Sequence, residues 1–296
     1  GNEAEHSFFS TPNRDSAGRL YVGIMTQGES PFTATTRISA AALQSTEEIS
    51  SDGSEEANRA YDAYRTLVVF HKSRRELGKT LSLLGDDIPD RIKFLQKHED
   101  KRRELNAEDG IKELSAQVEK GLLANTRESI EITSHENNPN FIDALATTNI
   151  ISVGVDIPRL GLMQIVGQPN TTAEFIQSSS RVGRADVPGL VLVNYKSTDA
   201  RDRSHFEQFK SYIESAYRFV EPSSVTPYAL PSRLRSLHAA IIIALRHSGY
   251  GMSKNEHAYK LDLNNLDQMD AIELLKKRMQ EADINEDESI EKHFDE

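Results

Sequence analysis

The run TLVVF at residues 66–70 limits the fold more than any other part of this chain. It is apolar along its length, whereas a strand with one face in water alternates apolar with polar side chains. A continuous run of β-branched and aromatic residues has to be covered on both faces, as in a parallel sheet layered between helices. Further apolar strands follow from LYVGIM at 20–25, LMQIV at 162–166 and LVLVNY at 190–195. Between them lie stretches of helical character: 32–49, with Ile38, Ala42 and Leu43 at helical spacing, then 73–84 and 172–180. Alternation of this kind predicts an α/β domain built on a mostly parallel β-sheet flanked by helices.

Elsewhere the pattern is weaker. Residues 28–31 read as a turn and 50–56 (SSDGSEE) as a loop. Residues 88–123, rich in Lys, Glu, Arg and Leu, read as one or two charged helices, 130–133 as a strand and 141–146 as a helix. After residue 199 the strand signals stop. Helices are expected at 205–219, 232–247 and 273–280, the first two separated by a loop marked by Pro222, Pro227 and Pro231. The acidic end is expected to fray. The organisation read from this is an irregular lead-in (1–19), the α/β domain (20–199), and a helical accessory region with an acidic tail (200–296).

At 296 residues the chain can hold one large or two modest domains. It has no cysteine, which excludes disulfides and cysteine-ligated zinc. His71, His98, His135, His205, His238 and His247 are scattered without paired spacing, so no metal ligands are expected. The longest apolar run, 239–245, is too short to cross a bilayer, and no export signal is recognisable, which points to the cytoplasm. The net charge of −11 argues against nucleic-acid binding only superficially. Residues 261–296 hold 12 acidic and 4 basic side chains, so the rest of the chain carries only −3. Gripping a phosphate backbone requires a local basic groove, not a basic whole chain.

Two stretches carry chemistry. In QSSSRVGR (177–184), Arg181 and Arg184 stand three residues apart with Gly183 between them. Such a forked cationic edge suits a polyphosphate, because guanidinium joins charge to planar, multi-donor hydrogen bonding. Upstream, ATTNIISVGVD (146–156) places Thr148, Gly154 and Asp156 in the spacing T-x5-G-x-D, at what reads as a strand end. Glycine allows close backbone approach, and the aspartate can accept from a ribose hydroxyl or orient an arginine. Taken alone, the second stretch also fits a plain strand-to-loop transition, and the first a helix end with two solvated arginines.

Their order is more specific. T-x5-G-x-D, the strand LMQIV, Pro169 and then Q-x3-R-x-G-R resemble the fifth and sixth conserved motifs of superfamily 2 helicases, a likeness that covers residues 66–195. HKSRREL (71–77) resembles the fourth motif. Ser178 and Ser180 depart from the commonest pattern, standing where many members have Arg and Gly. The combination of SSSRVGR, NIISVGVD and GQP-x-TTAEFIQ is similar to the large bacterial helicases of phage-defence systems, the helicase component of DISARM among them.

The resemblance implies the C-terminal RecA-like domain of an ATP-dependent motor. It implies Arg184 as the arginine finger, Arg181 on the γ-phosphate, Gln177 coupling hydrolysis to domain closure, and Gly154 and Asp156 at the nucleotide. It implies Ser73, Arg74 and Thr148 as nucleic-acid contacts, with DNA the expected strand. ATP and Mg2+ would be bound mainly by an N-terminal RecA-like domain of the same protein, and defence-system proteins would be partners. On this reading the chain alone is inactive.

Two other readings stay open at this point. One is a RecA-like scaffold for protein contacts. The other is a self-contained P-loop enzyme using SRRELGKT (73–80), with Lys79 as phosphate lysine. Residues 74–77 are good helix formers, however, and a P-loop needs flexible backbone whose amides wrap phosphate.

Overall fold

The computed structural model describes residues 17–49, 54–115, 120–134, 138–148, 157–184, 187–221, 228–247, 251–262 and 264–295. These fall into two compact units, 1–221 and 222–296.

The first unit begins with β1 (Arg19–Thr26), α1 (Pro31–Ser45), α2 (Glu55–Arg65), β2 (Leu67–His71), α3 (Arg74–Gly85) and α4 (Asp87–Leu95). It continues through β3 (Ile111–Leu114), α5 (Lys120–Glu131), β4 (Ala144–Thr147), β5 (Leu162–Val166), α6 (Thr172–Ser179) and β6 (Gly189–Lys196), and ends in α7 (Ala200–Glu207) and α8 (Phe209–Glu214). Among the described residues the strands form one six-stranded sheet in the order β1-β6-β5-β2-β4-β3, every pair parallel. A parallel pair needs a crossover long enough to return the chain, and the helices supply it.

Strands β2, β4 and β5 are buried at every position, as the continuous run at 66–70 requires. Successive side chains still point to opposite faces. Val68 and Phe70 of β2 join Leu145, Met163, Ile165, Val191, Val193 and Phe175 in the core of one face. Leu67 and Val69 join Leu43, Leu77, Leu84, Ile88 and Ile92 on the other, under α1, α3 and α4.

Hydroxyls close several helix starts by accepting orphan amides. Ser30 caps α1 with Pro31 in its first turn, Ser54 caps α2, Ser73 caps α3 and Thr171 caps α6.

The sequence expectations need four corrections. Residues 141–146 are not a helix: ALAT is β4, paired with β2 on one side and β3 on the other. Its small side chains carry little strand propensity, so the pairing decides its state. Residues 130–133 are not a strand, because Ile130 and Glu131 end α5. The stretch 88–123 is not simply helical. After α4 the chain makes a short 3-10 turn (Glu99–Lys101), then forms β3 from IKEL and begins α5 at Lys120. The single helix expected at 205–219 is α7 and α8, broken at Gln208 (φ −105°, ψ 17°), followed by a 3-10 turn over Ala216–Phe219. Residues 200–221 cluster with the sheet in the first unit.

The second unit contains α9 (Leu230–His247), α10 (Leu266–Ala282) and α11 (Asp287–Asp295) around Leu237, Met279 and Ile290. Arg233 is buried there, donating to the Tyr228 carbonyl (2.7 Å), the Ser289 carbonyl (2.7 Å) and the Glu286 carboxylate (2.7 Å). The acidic tail is thus tied down as a helix.

Candidate functional site

Because every strand runs the same way, the sheet has one edge where strands end and another where they begin. Ser73 and Arg74 follow the end of β2, and Thr148 follows the end of β4. The two strands are neighbours, with Phe70 opposite Thr147, so these three residues share the edge where strands end. Arg74 is exposed, while Ser73 and Thr148 are half-buried. Ser73 Oγ accepts from the Glu76 amide (3.4 Å), which leaves its hydroxyl proton able to donate outward. Thr147 Oγ1 donates to the carbonyl of Leu114 (2.9 Å), tying β4 to β3 just before Thr148.

Charged groups tie the surrounding loops to one another. Lys196 at the end of β6 pairs with Glu76 of α3, and Lys72 pairs with Asp199 (3.5 Å). Asp202 is fully buried and accepts from the amides of Gln168 (2.9 Å) and Lys196 (2.7 Å). Glu221 accepts from the Thr172 amide (2.9 Å), at the first turn of α6. The motifs gave no sign of Asp202 or Glu221. Nearby, the Asp199 side chain caps α7, accepting from the Arg201 amide (2.9 Å). His71 is buried at the end of β2 beside the Lys196–Glu76 pair. Burial pushes its imidazole down to about 4, Glu76 opposes the shift and Lys196 adds to it.

Helix α6 runs back from this edge and delivers QSSSRVGR to the other, where strands begin. Gln177 lies in the last turn of α6, and Arg181 follows its C-cap residue Ser180. Gln177 and Arg184 are exposed and Arg181 half-buried. Ser178 and Ser179 are buried, and Ser178 Oγ donates back to the Glu174 carbonyl (2.8 Å). A side chain as long as arginine has no room at 178, which gives the departure at that position a packing reason. Gly183 then reverses the chain at φ +65°, its amide donating to Leu160 O (2.8 Å). A Cβ there would stand 2.4 Å from the Gly189 nitrogen, so only glycine fits. Arg184 Nε donates to the Ser180 carbonyl (2.8 Å).

The structure therefore gathers Gln177, Arg181 and Arg184 at one edge, and Ser73, Arg74 and Thr148 at the other. Gly154 and Asp156 lie outside the described residues. SRRELGKT is not a phosphate loop: residues 74–85 are α3, and Lys79 lies over the Phe32 ring at 4.3 Å. The arginine edge suits the outer phosphates of a nucleotide. Among the described residues no three His, Asp or Glu side chains converge as a cation would require.

Residues 64–186 match the model of the helicase conserved C-terminal domain. The chain is 42% identical over 274 residues to the DISARM protein DrmA of Bacillus paralicheniformis, an alignment covering 91% of this chain and 23% of that protein. Among solved structures it resembles the DUF1998 helicase MrfA bound to DNA, at TM-score 0.51 and 17% identity, covering 75% of this chain and 26% of that one. MrfA bound to DNA and AMPPNP gives TM-score 0.50 at 16% identity, over 78% of this chain and 27% of that one. The chain spans about a quarter of these relatives' length.

Proposed function

Since residues 64–186 place this chain among the superfamily 2 helicases, as their C-terminal RecA-like domain, we propose that it is the half of an ATP-dependent nucleic-acid motor that completes the nucleotide site and holds part of the strand. The observation carrying this reading is the separation of the two residue sets. Arg181 and Arg184 stand where strands begin, and Ser73, Arg74 and Thr148 where they end, on one rigid parallel sheet.

In this reading Arg184 is the arginine finger and Arg181 holds the γ-phosphate. Gln177, in the last turn of α6, senses closure against the other half. Gly154 and Asp156 meet the ribose and the arginines. Bound ATP with Mg2+, held mainly by an N-terminal RecA-like domain, supplies the phosphoryl bond whose cleavage drives the cycle. The arginines place fixed positive charge against the transferring group, an effect worth about 10³–10⁵ in rate in NTPases with such fingers. At the other edge, Ser73 and Thr148 offer hydroxyls and Arg74 a guanidinium to a phosphate backbone, which sets position rather than sequence. That MrfA binds DNA and AMPPNP supports DNA as the strand and ATP as the fuel. The likeness to a DISARM protein supports a place in phage defence, and work in the cytoplasm beside other defence proteins is part of the same proposal.

Half a site does not turn over. The purified 296-residue chain is expected to hydrolyse no ATP above background, with or without single- or double-stranded DNA. Robust turnover that Lys79→Ala abolishes would overturn the reading and return SRRELGKT to consideration.

A further inference from the structure

The arginine edge depends on a strand that the motifs do not include. β1 lies at the margin of the sheet, and Arg19 and Tyr21, two residues apart, point to the same face. Tyr21 reaches the last turn of α6, and Arg19 the turn that follows it. Arg19 Nε donates to the Val182 carbonyl (2.7 Å), and the same guanidinium donates through Nη2 to the Ser180 carbonyl (3.3 Å). These carbonyls belong to the residues on either side of Arg181. The Ser180 carbonyl also accepts from Arg184 Nε (2.8 Å), so Arg19 and Arg184 are fastened to one atom. Tyr21 hydrogen-bonds through its hydroxyl to Ser179 Oγ (3.2 Å) and packs its ring on Phe175, 5.9 Å between centroids. The stem of Arg19 crosses Gly189, where a Cβ would come within 3.1 Å of its Cγ.

We propose that Arg19 is a positioning residue for Arg181 and Arg184, with Tyr21 as its support. This rests on the nucleotide-facing reading of those two arginines. The Ser180 carbonyl stands at the C-cap of α6, where a cation is favoured by the helix dipole, and the Val182 carbonyl lies in the turn beyond it. One guanidinium spans both carbonyls because its donors diverge in a fixed plane; an ammonium is a point charge and cannot hold the same fork. With Val182 O and Ser180 O held, the backbone on each side of Arg181 is fixed, and the reversal at Gly183 sets where Arg184 projects. A displacement near 1 Å at a reacting centre can cost about 10²-fold in rate, so a splint at this turn acts on turnover more than on binding.

The test is steady-state ATP turnover by the full-length parent helicase at saturating DNA, with Arg19→Ala, Arg19→Lys and Tyr21→Phe beside Arg181→Ala and Arg184→Ala. The expected result is that Arg19→Ala lowers kcat by about 10- to 100-fold while the KM for ATP and the DNA Kd stay within about threefold. Arg19→Lys should recover only part of the loss, and Tyr21→Phe should fall by less than Arg19→Ala. A structural role alone would lower the melting temperature and leave kcat per folded molecule intact. A folded Arg19→Ala with unchanged kcat would overturn the inference. If Arg19→Ala does not fold, full kcat in Arg19→Lys overturns it instead. If Arg181→Ala and Arg184→Ala leave kcat unchanged, the nucleotide-facing reading falls and takes this inference with it. If they lower kcat and Arg19 variants do not, only the splint falls.

Discussion

Where the strands begin, a buried ion pair and close backbone packing hold the chain; where they end, buried Asp202 is joined by ion pairs that water reaches in part. At the first edge the side chains of Arg103 and Asp143 are 1% and 7% exposed and form a close ion pair. Asp143 also accepts from the Asn106 amide (2.7 Å), and Arg103 donates to the Arg65 carbonyl (3.2 Å). Tyr64 donates to the Pro188 carbonyl (2.6 Å), and Gly183 lies directly against Gly189. At the second edge Lys72 and Asp199 are 24% and 36% exposed, and Arg74 is exposed. A site that must present guanidinium groups within tight tolerance benefits from the first construction. A site that must grip and release a flexible strand benefits from the second. The two constructions differ in how much water each ion pair excludes, and so in how strongly its charges act.

Breaking the dry edge should cost most. Arg103→Ala leaves the Asp143 carboxylate buried without its cation, a change that typically costs about 3–5 kcal/mol. Urea unfolding should show the midpoint falling with little change in slope; a loss below about 1 kcal/mol would mean that water reaches this pair as it reaches Lys72.

The next effect is one of pH at the other edge. His71 stays neutral in the folded state down to about pH 4, whereas its unfolded counterpart takes up a proton near 6.5. Above 6.5 both forms are neutral and His71 contributes no pH dependence. Between 6.5 and 4 the unfolded chain gains the proton first, so stability falls by about 3 kcal/mol. Denaturant titrations at pH 7.5 and 4.5 should show this drop in the wild type and a smaller one in His71→Leu. Equal drops would assign the acid sensitivity to other groups.

Gly183→Ala comes third in stability, at about 1–3 kcal/mol for strained left-handed backbone, and the clash with Gly189 adds a shift of the arginine turn. Its melting temperature should fall modestly while ATP turnover of the full-length parent falls further. Proportionate losses would separate the turn from catalysis. Smallest is Lys72→Ala, below about 1 kcal/mol and fading as salt is raised. A salt-independent loss there would erase the contrast between the edges.

The parts of this molecule legible in the sequence are those whose physics is local. TLVVF and LMQIV announce strands buried on both faces, Ser73 announces a cap, and Q-x3-R-x-G-R sits at the end of α6 as its spacing suggests. What stayed hidden depends on partners distant in sequence. ALAT becomes a strand only between β2 and β3. IKEL is short and half-exposed, and nothing in its own pattern separates it from the charged helices around it. Arg103 looks like one of many surface cations until Asp143, forty positions on, is folded against it. Arg19 reads as the end of an irregular lead-in, and its carbonyl partners lie more than 160 residues away.

The most direct measurement compares Arg184→Ala with Arg74→Ala in the full-length parent, reading ATP turnover at saturating DNA and the DNA Kd for each. Two edges with two tasks predict that Arg184→Ala lowers kcat by about 10³-fold or more and leaves the Kd within twofold. Arg74→Ala should raise the Kd several-fold and leave kcat intact once DNA is saturating. Unchanged turnover in Arg184→Ala, or both losses in both variants, would contradict the division and favour a scaffold in which neither edge has a task of its own.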